Sequence, residues 1–128
     1  MLGVSDGTTV FRPDSFSYLR IPAADPTAAA AFYTAVFGWE VEPESGRFTD
    51  GSGHVIGHFV SDLDVAGEAG VRPYIYVLDV DQTLAKLTTL GGVLMTPPYP
   101  EGNLRVATFR DPDGNVIGLW QQAAPGHA

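Results

Sequence analysis

Hydrophobic and polar positions follow two rhythms along the chain, and they do so twice in the same order. Residues 16–21 (FSYLRI) are β-prone and end at Pro22, which cannot continue a central ladder. Asp25-Pro26 then supplies a helix N-cap and the residue favoured at the first helical position. The Ala-rich run 27–37 sets Ala29, Phe32, Val36 and Phe37 on one face, and Gly38 closes it. Trp39-Glu40-Val41 begins a strand, residues 43–46 turn, and Phe48 with residues 54–60 reads as a hairpin. Residues 61–70 (SDLDVAGEAG) are small and polar, a linker by composition. The order then recurs: a strand at 73–78, and a helix entered through Asp79-Val80-Asp81 and running through Leu90. Leu84, Leu87 and Leu90 form its apolar stripe, and Gly91-Gly92 ends it. A strand at 93–95, turns at Pro97-Pro98 and at 100–102, and strands at 104–109 and 115–121 complete the second half. Each half reads β-α-β-β-β.

The two hairpins are also related residue by residue. FTDGSGHVIGHF (48–59) and FRDPDGNVIGLW (109–120) agree at six of twelve positions without a gap: Phe48/Phe109, Asp50/Asp111, Gly53/Gly114, Val55/Val116, Ile56/Ile117 and Gly57/Gly118. Average composition gives roughly one identity in sixteen positions, so the repeat is real. Four strands carrying one helix leave a second sheet face to be covered. The sequence therefore predicts an α+β fold in which two βαβββ modules form a curved eight-stranded mixed sheet around a cavity. The modules span about 15–61 and 71–122 of one domain (15–122), between an N-terminal arm (1–14) and a short tail (123–128).

Composition narrows the function. A length of 128 residues can bury a core without staples, and the lack of cysteine excludes disulfides, thiolate nucleophiles and zinc–thiolate sites. A net charge of −8 with no basic stripe argues against nucleic acid. The sequence shows neither a signal-peptide pattern nor an apolar run of membrane-spanning length, so no membrane association and a cytoplasmic location are expected. Asp111 and Asp113 read as turn residues, and Asp79 and Asp81 as helix-capping ones, rather than as catalytic carboxylates.

The paired modules, the Asp-started helix ending in Phe32-Tyr33 to Gly38-Trp39, and the closing Asp111 to Asn115 together resemble the vicinal oxygen chelate superfamily. That group includes glyoxalase I, bleomycin-resistance proteins and extradiol dioxygenases, and the chain is similar to a glyoxalase-like subgroup of unassigned activity. The resemblance implies that metal-dependent members place a ligand on the first and last strand of each module. By motif and repeat these positions fall here on Tyr18, Gly57, Tyr74 and Gly118. Glycine offers no donor and neutral phenol is a poor one, so no metal site and no cofactor are expected. If Gly57 faces the cavity, strand alternation turns His54, Ile56 and His58 away from it.

The same parity lines the expected cavity with Tyr18, Arg20, Phe59, Tyr74, Tyr76 and Trp120, together with Val55 and Val116. Aromatic residues with a polar handle suit a small-molecule pocket, and Arg20 suits a carboxylate or an aromatic face. Arg20 paired with a neighbouring acid, and aromatics that merely fill the interior, are the structural alternatives. Arg105 is a second candidate cation whose facing the pattern leaves open. The first functional expectation is metal-independent binding of a small aromatic or amphipathic molecule. The alternatives are a lyase, isomerase or dioxygenase-type enzyme, metal-independent or with a displaced metal and with Tyr18 or Tyr74 as general acid, and a partner subunit for assembly. Catalytic residues are not identifiable, and the resemblance implies a homodimer.

Overall fold

The structure is a computed structural model that describes residues 10–122; the expected tail 123–128 and most of the expected arm lie outside them. The chain divides into two compact units, with the boundary between Asp64 and Val65. The first unit holds β1 (Tyr18–Pro22), α1 (Pro26–Phe37), β2 (Glu40–Val41), β3 (Arg47–Thr49) and β4 (Ile56–Val60). The second holds β5 (Tyr74–Tyr76), α2 (Val80–Thr88), β6 (Val93–Glu101), β7 (Leu104–Arg110) and β8 (Val116–Gln122). Both are βαβββ modules of an α+β fold. The strands bond as two four-stranded mixed sheets, ordered β1-β4-β3-β2 and β5-β8-β7-β6. In each, the first strand runs parallel to the last and the others pair antiparallel.

Local chemistry sets the helices. The Asp25 carboxylate accepts hydrogen bonds from the backbone N–H groups of Thr27 (3.0 Å) and Ala28 (3.4 Å), and Gly38 ends α1 at φ 72°. The buried side of α1 is Ala29, Ala30, Phe32 and Tyr33. Val36 and Phe37, expected on the same face as Ala29 and Phe32, are half-buried, and Tyr33, not expected there, is fully buried. Its ring lies 4.7 Å from Trp39 and 5.2 Å from Phe59, and Phe48 lies 5.0 Å from both, stacked on Trp39 and tilted against Phe59. One aromatic cluster therefore fastens α1 to β4 and β3. In the second unit Val80, Leu84 and Leu87 of α2 are buried, and so are Ala107, Phe109, Ile117 and Leu119. Leu90, expected in the helical stripe, lies beyond the helix and is exposed.

Arg105 belongs to this helix-covered side. Its guanidinium makes two bonds of 3.0 Å to the Asp81 carboxylate, which is held below the ordinary carboxylate range first by that hydrogen bond. A depressed folded-state value means stability that is present above the unfolded value (about 4) and lost as pH falls through the folded one. Both side chains are substantially exposed, so Arg105→Ala is expected to cost no more than about 1 kcal/mol near neutrality. Urea titrations at neutral and acid pH check this: the gap between variant and parent should narrow on acidification below about pH 4.

The two repeated hairpins are not superimposable in register. Phe109 pairs with Ile117, as its motif suggests, whereas Phe48 pairs with Gly57 rather than Ile56. The turn chemistry explains the one-residue slide. In the second hairpin Asp111 Oδ1 accepts from the backbone N–H groups of Asp113 and Asn115 (both 2.9 Å), Asn115 Nδ2 donates to Asp111 Oδ2 (2.9 Å), and the ladder closes from Asp111 N to Asn115 O. In the first, His54 stands where Asn115 does. There Ser52 bridges, its Oγ donating to Asp50 (2.7 Å) and accepting from His54 N (2.9 Å), and closure comes one residue later, from Asp50 N to Val55 O. An Asx-type network holds one turn short and a serine relay lengthens the other.

The strand β6 is longer than its prolines suggest. It continues through Pro97, Pro98 and Pro100, which sequence reading assigned to turns, because it is an edge strand with register irregularities between Leu94 and Thr96 and between Thr96 and Tyr99. Edge position and bulges are the settings in which proline costs a sheet least.

Candidate functional site

In each unit the candidate site is the sheet face away from the helix. In the second unit, β-pairing sets Tyr76, Trp120, Val106 and Tyr99 in one row across all four strands. Tyr76 packs edge-on against Trp120 with ring centroids 4.8 Å apart. Tyr74 pairs with Gly118, and its ring occupies the space that a side chain at 118 would need. Tyr74 and Tyr76 are 44% and 48% exposed although both are large aromatics, so these rings are presented rather than buried. Tyr74, Tyr76 and Trp120 therefore stand together as the sequence expected. Tyr99 joins them, a residue hidden in the PPYP run that read as a turn. Partial burial pushes its phenol above the ordinary value, reinforced by Tyr74 and by Glu101, whose carboxylate accepts from the Tyr99 hydroxyl at 3.5 Å.

The first unit presents a polar counterpart. Tyr18, Arg20 and His58 share the face away from α1: Tyr18 pairs with Ile56, and Arg20 pairs with His58, which in turn pairs with Arg47. The Tyr18 hydroxyl lies 2.7 Å from His58 Nδ1, and the Arg20 guanidinium carbon lies 6.0 Å from the centre of the Tyr18 ring. Arg47 reaches Glu42 at 3.8 Å, whereas Arg20 has no carboxylate partner among the described residues.

Three expectations change here. Gly57 and Phe59 lie on the helix side of β4: Phe59 is buried against Tyr33 and Phe48, and Leu19 O and the Phe48 ring crowd the Gly57 α-carbon. Phe59 thus belongs to the core and not to the face carrying Tyr18 and Arg20. His58 is the residue turned toward that face, because the longer turn slides β4 by one position and a one-residue slide exchanges the two faces. His54 precedes the strand altogether, and its Nδ1 is buried with no hydrogen-bond partner among the described residues. Arg105, the second candidate cation, is committed to Asp81 on the helix side.

The same slide alters the comparison with metal-binding relatives. Measured against β3 the counterpart of Gly118 in the first unit is His58, and measured against β1, where Tyr18 pairs with Ile56 as Tyr74 does with Gly118, it is Ile56; by neither is it Gly57, and His58 brings a nitrogen donor to that face. The donor set still does not fit a divalent ion: His58 is a single nitrogen donor beside phenols, Gly118 has no side chain, and no group of three or more His, Cys, Asp or Glu side chains able to hold a metal ion occurs among the described residues.

These modules and their sheet topology define the class. The profile of the glyoxalase-like domain family matches residues 18–120, and the chain belongs to that family, within the vicinal oxygen chelate superfamily. A curated relative is CFP32 of Mycobacterium tuberculosis (strain CDC 1551 / Oshkosh), whose name carries a provisional glyoxylase assignment; it is 28% identical over 127 residues, which cover 87% of this chain and 47% of that protein. The chain spans about half the length of the curated relatives it matches. Among solved structures, TnmS3, an antibiotic-binding protein from Streptomyces sp. CB03234, is 25% identical with a TM-score of 0.65, covering 85% of this chain and 96% of that one. A glyoxalase/bleomycin resistance protein/dioxygenase family enzyme from Burkholderia phytofirmans PsJN shares the fold at 20% identity and a TM-score of 0.67, covering 83% and 97%. No helix among the described residues is long and apolar enough to cross a membrane.

Proposed function

We propose that this protein is a binding module for a small aromatic or amphipathic molecule, held through aromatic contacts on the helix-free sheet faces. The observation that carries this reading is the aromatic row of the second unit, where Tyr74, Tyr76 and Trp120 present partly exposed rings on a rigid four-stranded support. Such rings combine apolar area with polar edges and lose little entropy on binding. Tyr18 and Arg20 are the corresponding contacts in the first unit. The antibiotic-binding role of TnmS3 supports the reading, because that protein uses the same fold. The chain is further proposed to work as a homodimer, which light scattering tests.

A planar neutral probe such as 2-naphthol is expected to raise the melting temperature and to quench Trp120 emission. Tyr76→Ala and Trp120→Ala are each expected to weaken binding about tenfold, equivalent to ~1.4 kcal/mol for one lost aromatic contact. A panel of aromatic molecules producing neither effect would remove the reading.

A second reading is favoured by the Tyr18–His58 hydrogen bond, which gives a partly exposed phenol and imidazole the geometry for moving a proton to or from a bound molecule. Turnover of a bound ligand that is lost in His58→Gln would make the protein an enzyme. Binding without turnover leaves it a carrier or sequestering protein.

A further inference from the structure

We infer that Arg20, Tyr18 and His58 form a carboxylate-binding site, so that the ligand is an organic acid rather than a neutral molecule. This rests on the small-molecule reading above and adds to it the charge of the ligand.

Three observations converge on one patch of the first sheet. Arg20 and His58 are direct β-partners, so their side chains leave the same face side by side. The Tyr18 hydroxyl lies 2.7 Å from His58 Nδ1, and the Arg20 guanidinium lies over the Tyr18 ring. Arg20 has no carboxylate partner among the described residues, in a chain where fifteen Asp and Glu outnumber seven Lys and Arg. Arg12, Arg72 and Lys86 also have no carboxylate partner among the described residues; Arg20 differs from them in standing on a sheet face beside an imidazole and a phenol.

The hydrogen bond decides what His58 offers. The phenol is the better donor of the two groups. With Tyr18 donating to Nδ1, the imidazole carries its proton on Nε2, which becomes a second donor beside the guanidinium. Two N–H donors from adjacent strands match the two oxygens of a carboxylate, and the planar guanidinium favours that geometry. Arg47, the β-partner of His58 on its other side, is the remaining cation of this row and is engaged by Glu42 at 3.8 Å at the opposite edge of the sheet, which leaves Arg20 and His58 as the donors for a single carboxylate.

The test is a solution NMR titration of the full chain with benzoate and, separately, with its neutral counterpart benzamide at constant ionic strength. It follows the Arg20 Nε–H, the His58 ring protons and the Tyr76 and Trp120 signals. Benzoate is expected to shift the Arg20 and His58 signals and to bind at least tenfold more tightly than benzamide. Arg20→Gln should abolish that preference, Arg20→Lys should retain part of it, and Tyr18→Phe should reduce benzoate binding about threefold and narrow the preference for benzoate over benzamide. Equal binding of the two probes, or an unchanged preference in Arg20→Gln, overturns the inference. If both probes shift only Tyr76 and Trp120, the carboxylate site is lost and the aromatic binding reading stands. If benzoate shifts Arg20 and His58 alone, the carboxylate site stands and the aromatic reading is lost. Silence at all four residues overturns both.

Discussion

Gly57→Ala is expected to destabilise the protein by about 3 kcal/mol, lowering the melting temperature by on the order of 10 °C. A methyl at this position would meet the Leu19 carbonyl oxygen of the adjacent strand and the Phe48 ring at 2.5 and 2.8 Å. Neither neighbour can give way: the first is backbone in the centre of a ladder, and the second is locked between Trp39 and Phe59. Gly118→Ala, at the identical position of the repeated motif, is expected to cost about 1 kcal/mol or less. There the three nearest atoms all belong to the Tyr74 side chain, which is 44% exposed and can swing outward. The consequence should instead appear in binding, since Tyr74 would leave the aromatic face, and 2-naphthol affinity is expected to fall several-fold while the melting curve barely moves. Calorimetry of the two variants checks the contrast. Equal destabilisation would mean that the two hairpins share one register after all.

Asp111→Ala is expected to cost about 3 kcal/mol. The Asp111 side chain is buried and accepts from Asp113 N, Asn115 N and Asn115 Nδ2, all at 2.9 Å. Removing it strands several donors in a largely buried turn, and each such donor costs on the order of 1–3 kcal/mol where no new partner is found. Asp50→Ala, in the exposed serine-bridged turn, is expected to cost about 1 kcal/mol, because solvent can replace the lost acceptor. Chemical denaturation of both variants separates these outcomes.

Much of the fold was legible because its signals are local. Asp25-Pro26 and Gly38 mark the ends of α1, the Leu84 and Leu87 spacing marks α2, and turn residues mark the hairpins. Repetition then gave the βαβββ order twice. The shared face of Tyr74, Tyr76, Gly118 and Trp120 was legible too, since these residues follow simple alternation along regular strands. The prolines of β6 hid Tyr99, since whether a proline ends a strand or sits on a sheet edge depends on which strands pair, and that is a long-range fact.

The sequence by itself determined that this chain is two copies of one module, where the helices begin and end, and that cysteine chemistry is absent. Only the tertiary structure decided which face of β4 each side chain takes. Twelve aligned positions imply equivalence of Gly57 with Gly118, yet the hydrogen bonds of a single turn, with Asn115 in one copy and His54 in the other, move the first copy by one residue. In a strand one residue is a full change of face. Phe59 therefore went to the core, and His58 came to stand beside Tyr18 and Arg20.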